Sequence, residues 1–236
     1  MIATEENSFR AAIAAGRRHA AIGFTQEVRD DMTWLYEKRL NDSVAGKTIR
    51  GRLLAQAESR CPLCNIGIVK TLEHSFPKSE FPRLAVDPMN LIPSCRDCNF
   101  ERGVGAKDGG MNPYADIWAF DHNWLGAEII SPDAPFLLKF SPIWHPDISP
   151  AQLERLRQHF DDCGLAERYA LRSVDEFELF RNQLVRHLSG RPGVSVFEIL
   201  YERLRTLVEV RGVNYWQTAA YAEWLVCCDA IDWLGS

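Results

Sequence analysis

With 236 residues, 46% of them hydrophobic and 25% charged, the chain is long enough to bury a substantial core as one large domain or two to three small ones. No apolar run approaches the roughly 20 residues of a membrane span, and the N-terminus places two glutamates before its Ala-rich stretch and arginines after it, the reverse of a secretory signal, so a cytoplasmic protein with no membrane partner is expected. The net charge of −5 excludes a uniformly basic nucleic-acid binder, but it is unevenly spread: Trp34 to Lys107 carries 12 Lys/Arg against 8 Asp/Glu, a local +4, while residues 108–236 carry 11 against 19.

Residues 1–60 read as helical. Thr25 precedes Glu27, Asp30 and Asp31, which suit a helix N-terminus, and Lys38 and Arg39 suit its end; Val28, Met32, Leu35 and Tyr36 fall on one face. A further helix, about Thr48 to Ser59, leads into a first cysteine pair. Residues 61–115 lack periodicity and are rich in Pro, Gly and Asn. Here Ile66, Ile68, Val69 and Leu72 suggest a short hairpin around Gly67, and "CRDCNFER", ended by Gly103, a short helix. Residues 116–236 form a mainly helical region, read as scaffold or partner surface. "AEIIS" and "PFLLKFS" predict two strands. "SPAQ" (Ser149 to Gln152) is a capping box, with Gly164 as the stop. "SVDE" (Ser173 to Glu176) reads as a second box opening a helix with Phe177, Phe180, Leu184 and Leu188 on one stripe, stopped at Gly190; two more helices are expected at about Val196–Val210 and Tyr215–Leu234. The fold class is therefore α+β, mostly helical around a central irregular module.

Cys61-Pro-Leu-Cys64 and Cys95-Arg-Asp-Cys98 are two CxxC pairs separated by 30 residues. Each places two thiolates on one turn, able to take adjacent vertices of a tetrahedron at about 2.3 Å from zinc. Two such pairs complete a closed structural site, which leaves no open position for chemistry at that metal. Iron held by the same thiolates is the electron-transfer alternative. Cys163, Cys227 and Cys228 lie in helical patterns and read as core.

The arrangement CPLC…LEHSFPKS…NLIPSCRDCNFERG resembles the HNH endonucleases, the zinc-stapled ββα-metal type, over Cys61 to about Gly103. The resemblance extends through "MNPYAD" (Met111 to Asp116) toward the HNH nucleases of prokaryotic anti-phage defence systems such as Septu. It implies a general base at His74, a metal ligand at Glu73, a loop-orienting asparagine at Asn90 and a second metal ligand at Asn99. Glu stands here for the commoner Asp, and Asn for the third His. It also implies DNA as substrate and a protein partner, an ATPase in some of those systems.

The residues support that chemistry independently. A neutral histidine with an ordinary pKa near 6.5 accepts a proton at about pH 7. Glu73 and Asn99 offer hard oxygen donors suited to a single Mg²⁺ or Mn²⁺. In extended backbone Glu73 and His74 would point to opposite sides, so turn geometry has to bring both to one cleft. Lys78 and Arg102 are candidate phosphate contacts. The rival reading is a non-catalytic zinc module that binds nucleic acid or a partner protein. Asp121-His122 has no metal-spaced neighbours in sequence and reads as structural; His145 reads as packed or capping, and His19, His159 and His187 as surface or core-edge residues of helices.

Overall fold

The computed structural model describes residue 11 and residues 24–103, 111–131, 134–190, 195–231 and 233. The expected position of His19 lies outside these. The architecture is α+β: two small antiparallel sheets among helices. Two compact units are present, one running through Ile117 and taking in Glu154–Cys163, the other comprising Trp118–Leu153 and the chain from Gly164 onward. Among the described residues no helix is long and apolar enough to cross a membrane.

In the first unit, helix α1 (Gln26–Trp34) is capped by Thr25, whose hydroxyl accepts from Val28 N–H, and continues as a π-helical stretch, Leu35–Asp42. Helix α2 (Val44–Ala55) starts four residues earlier than its apolar pattern suggests, because the Ser43 hydroxyl accepts from Gly46 N–H at 3.0 Å and supplies the cap. Strand β1 (Thr71–His74) pairs antiparallel with β2 (Leu91–Ser94), Glu73 opposite Ile92 and His74 opposite Leu91. The hairpin expected around Gly67 is not a strand pair: only an isolated bridge, Arg60 to Ile68, forms there, and the chain between is a tight knuckle. Helix α3 (Arg96–Arg102) follows β2 directly, packs against β1, and ends at Gly103, whose φ of +44° a side chain rarely adopts. Leu40, Leu53, Leu72 and Leu91 form the core under this ββα unit, and Phe76, Phe81 and Leu84 a second cluster beneath the β1–β2 connection.

In the second unit a one-turn helix α4 (Trp118–Asp121) leads into β3 (Leu125–Ile129), which pairs antiparallel with β4 (Leu138–Pro142). Helix α5 (Pro150–Asp162) opens with the expected box, Ser149 and Gln152 exchanging side chain-to-backbone hydrogen bonds. Helix α6 then runs unbroken from Leu165 to Gly190, so Ser173 is not a helix start. Its hydroxyl bonds back to the Ala170 carbonyl at 2.7 Å and also reaches the Phe136 carbonyl, so a serine that resembles a cap is a buried mid-helix residue. Helices α7 (Val196–Arg211) and α8 (Trp216–Val226) complete the unit, α8 ending well before Leu234. The α6 stripe meets α8 through aromatic edges, with Phe177 against Trp224 and Phe180 against Tyr221, and Phe140 of β4 lies against Tyr169.

Candidate active site and metal centre

The four cysteines converge. The Cys61 N–H donates to the Gly67 carbonyl and Asn65 N–H to the Cys61 carbonyl, both at 2.8 Å, with Asn65 at a φ of +57°, so the first pair sits in a closed turn. Cys95 caps α3, its sulfur accepting from Cys98 N–H, and Gly67 N–H points at the Cys64 sulfur at 3.3 Å. All four sulfurs are buried and lie within 4.8 Å of one another, with Cys64 and Cys95 3.8 Å apart. A tetrahedron with zinc–sulfur bonds of about 2.3 Å has edges of about 3.8 Å, so the spacing fits the ion. Gly67 closes the cradle: a Cβ there would stand 2.4 Å from Cys95 Cβ and 2.5 Å from its sulfur. The crowded thiols polarise one another. Contact with Cys61 lowers Cys64 to about 7, and contacts with Cys61 and then Cys64 hold Cys95 well below its ordinary value.

Glu73 and His74 lie in regular extended backbone and face opposite sides of β1, so the turn geometry expected to bring both to one cleft is not found. Glu73 is buried, with Oε1 4.0 Å from Arg102 Nε. Burial pushes its carboxyl up to about 7 against the opposing pull of Arg102. Arg102, expected at phosphates, has no side-chain exposure, and its three guanidinium nitrogens have no hydrogen-bond partner. Five N–H donors shut away from solvent are costly without acceptors, and the Glu73 carboxylate 4.0 Å away is the charge that opposes them. Asn99, half-buried, follows Cys98 on α3 and is positioned by the four-cysteine cluster; its N–H donates to the Cys95 carbonyl.

On the other face, His74 Nε2 donates to the Ala85 carbonyl at 2.9 Å, leaving Nδ1 as the acceptor. Burial, against the raising effect of the Ala85 bond and with a smaller lowering push from Lys78, brings its pKa down to about 4, so the ring is neutral at pH 7. Fully buried Asn90 sets this geometry. Its Oδ1 accepts from Phe76 N–H at 2.7 Å, and its Nδ2 donates to the carbonyls of Phe76 at 3.1 Å and Leu84 at 3.0 Å, next to the Ala85 carbonyl that binds His74. Tyr36 packs on the His74 ring with centroids 4.7 Å apart. Lys78 lies over the same tyrosine and pairs with Glu37 at 3.4 Å. Tyr36 also lines a cavity of about 550 Å³ with Lys47, Arg50 and Thr71.

No family model matches the chain, and no solved structure matches it. Over 204 residues it is 28% identical to Protein ea31 of Escherichia phage lambda, covering 79% of this chain and 69% of that protein. Over 83 residues it is 34% identical to Septu protein PtuB of Bacillus thuringiensis, a stretch that covers 32% of each chain.

Three features of the site escape the sequence reading. His159, expected at a helix surface or core edge, is buried, and its Nε2 donates to the Leu63 carbonyl inside the first CxxC at 2.8 Å. Cys163, one turn further, lies 3.8 Å from His159 Nδ1 and against Cys98. Their i, i+4 spacing places both on one helix face and is the available signal. Asp116, the last residue of "MNPYAD", is buried and held by Arg155 through two hydrogen bonds of 2.8 Å, while Asn112 Nδ2 reaches the Met89 carbonyl beside Asn90. The position of Tyr36 on His74 is a long-range packing fact with no local signature.

Proposed function

We propose that this chain is a metal-dependent HNH endonuclease that hydrolyses DNA phosphodiester bonds in the cytoplasm, the nuclease effector of a prokaryotic anti-phage defence system. The observation that carries the reading is His74: an imidazole held neutral, with its tautomer fixed by the Ala85 carbonyl, on a ββα unit stapled by four cysteines. The likeness to Septu protein PtuB supports the defence role.

In this reading zinc at Cys61, Cys64, Cys95 and Cys98 is structural. Glu73 and Asn99 would hold Mg²⁺ or Mn²⁺, and the buried Glu73 carboxylate, compensated only by a guanidinium at 4.0 Å, gains from a dication. Such an ion supplies Lewis acidity toward a phosphate oxygen. His74 Nδ1 accepts the proton of the attacking water, and Asn90 and Ala85 keep that nitrogen aimed. Lys47 and Arg50, beside Tyr36, offer a basic path for the backbone.

With the acidic balance of residues 108–236, non-specific DNA affinity is expected to be low at physiological salt. A protein partner, an ATPase, would supply DNA affinity and control; exposed Phe197, Tyr201 and Val208 on one face of α7 are apolar surface for such a contact. The pairing of Glu73 with Arg102, on the face of β1 opposite His74, favours one second reading, a non-catalytic zinc module that binds nucleic acid or a partner. Plasmid incubated with the purified chain in Mg²⁺, Mn²⁺ or EDTA, alongside His74→Ala, decides between them. Cleavage that needs the dication and His74 supports the nuclease; DNA retention without cleavage in any metal supports the binding module.

A further inference from the structure

The second unit holds a group of metal-ligating side chains that the nuclease reading does not use. His122, His145 and Asp147 each present a ligand atom, and the three atoms lie within 4.8 Å of one another. Strand register explains how residues so distant in sequence meet. The β3–β4 ladder pairs Leu125 with Pro142 and continues one rung outward, with Ile143 N–H donating to the Trp124 carbonyl at 2.7 Å. Extended two residues further, the same register sets His122 opposite His145, and their rings stack with centroids 5.2 Å apart and planes 19° from parallel.

Both backbones are fixed from behind. Asn214 donates through Nδ2 to the carbonyls of His122 at 2.6 Å and Ala119 at 3.0 Å, and its Oδ1 accepts from the N–H groups of Trp124 and Leu125. On the other strand, Ile148 N–H closes a turn onto the His145 carbonyl at 3.0 Å, with Pro146 inside the turn and the Ile148 side chain buried. That turn brings Asp147 back over His145. The Asp147 N–H donates to His145 Nδ1 at 3.2 Å, so in the neutral ring this nitrogen carries a lone pair, and Asp147 Oδ2 lies 3.8 Å from it. Bonds of about 2.0–2.1 Å to a tetrahedral ion put adjacent donors about 3.4 Å apart. The Nδ1–Oδ2 separation is close to that bite; on binding, the ion replaces the Asp147 N–H as partner of the Nδ1 lone pair, and rotation of the two side chains completes the closure. The rings are half-buried and the carboxylate exposed, which gives an ion an entry path and leaves coordination positions to solvent.

We propose that His122, His145 and Asp147 form a second metal site, which takes Zn²⁺ or a neighbouring divalent first-row ion through two imidazoles and a carboxylate. The donor set has no thiolate, so it favours borderline ions such as Cu²⁺, Ni²⁺ and Zn²⁺ over Cu⁺. Three protein ligands with open positions make an exchangeable site, unlike the closed four-cysteine centre.

The test uses the full chain with its cysteine site already loaded with zinc, titrated calorimetrically with further Zn²⁺. Wild type should take up one additional equivalent, and so should Glu73→Gln, which separates this site from the proposed nuclease metal. His122→Ala and His145→Ala should each weaken that equivalent by more than about a hundredfold, beyond the cost of losing an outer-shell partner. Asp147→Asn, an exposed change that spares the ring stack, should weaken it too and stands in if an imidazole variant fails to fold. Absence of an additional equivalent in wild type, or its persistence in the His122→Ala/His145→Ala double variant or in Asp147→Asn, overturns the proposal.

Discussion

Replacing Asn90 by alanine removes three hydrogen bonds at a point with no solvent exposure: one accepted from Phe76 N–H and two donated to the Phe76 and Leu84 carbonyls. At roughly 1–1.5 kcal/mol each, these bonds together are worth about 4 kcal/mol, against a total stability for such domains on the order of 5–15 kcal/mol. Asn90→Asp sharpens the test. It keeps an acceptor for Phe76 N–H but turns a carboxylate oxygen toward two carbonyls, so at neutral pH it should cost more than alanine and partly recover where the carboxyl protonates. The same loss frees the Leu84–Ala85 peptide, so His74 should lose its fixed tautomer. Urea denaturation of zinc-loaded protein measures the first effect and imidazole nitrogen NMR the second. A cost under about 1 kcal/mol for alanine, or aspartate as stable as asparagine at pH 7, would refute the clamp.

Gly67→Ala should cost about 1–3 kcal/mol by overpacking and loosen zinc, since its Cβ would stand 2.4 Å from Cys95; Gly51→Ala, with nothing within 4 Å, should instead gain up to about 1 kcal/mol of helix stability. Cys95→Ser opens the tetrahedron, and metal analysis with a thermal melt should show zinc loss and a collapse of stability. His74, held at about 4 against an ordinary 6.5, makes stability rise with pH between those values, because the unfolded chain binds the extra proton; Glu73, lifted from 4.5 to about 7, makes stability fall with rising pH across its own window. The contributions, about 3 kcal/mol each, nearly cancel in wild type. In each variant the remaining group acts alone, so the stability of Glu73→Gln should rise from pH 4 to 6.5 and that of His74→Ala should fall from pH 4.5 to 7, read as urea midpoints at each pH. His74→Ala should also abolish plasmid cleavage while retaining zinc.

Features written in local chemistry were legible. The two CxxC pairs, the Thr25 cap, the box at Ser149 and the stop at Gly103 each depend on neighbours within a few residues, and each is found in the structure. Ser173 misled because a serine followed three residues later by an acid has the same pattern whether or not a helix already precedes it; the preceding residues from Leu165 decide, and they were already helical. The hairpin expected at Gly67 shrinks to one bridge because the knuckle spends its other backbone donors on the Cys61 turn and on sulfur, leaving only the Cys61–Gly67 and Val69–Ser59 bonds that flank Arg60 and Ile68. Pairing of His122 with His145 rests on strand register, and the burial of Arg102 against Glu73 on how α3 packs on β1; neither leaves a local trace.

Helix α5 carries a consequence for synthesis. Its Glu154–Cys163 stretch belongs to the first unit, although Trp118–Leu153 intervenes in the chain. Arg155 and His159 thus arrive late: the bond from His159 to the cysteine knuckle spans 96 positions. At roughly 5–20 residues per second, the ribosome needs several seconds after Ile117 to deliver them. During that interval the nascent knuckle has its thiols but not the helix that braces it, so early zinc capture would act as a placeholder for the missing support. A fragment cut after Ile117 would keep every cysteine of the centre and remain in that unfinished state.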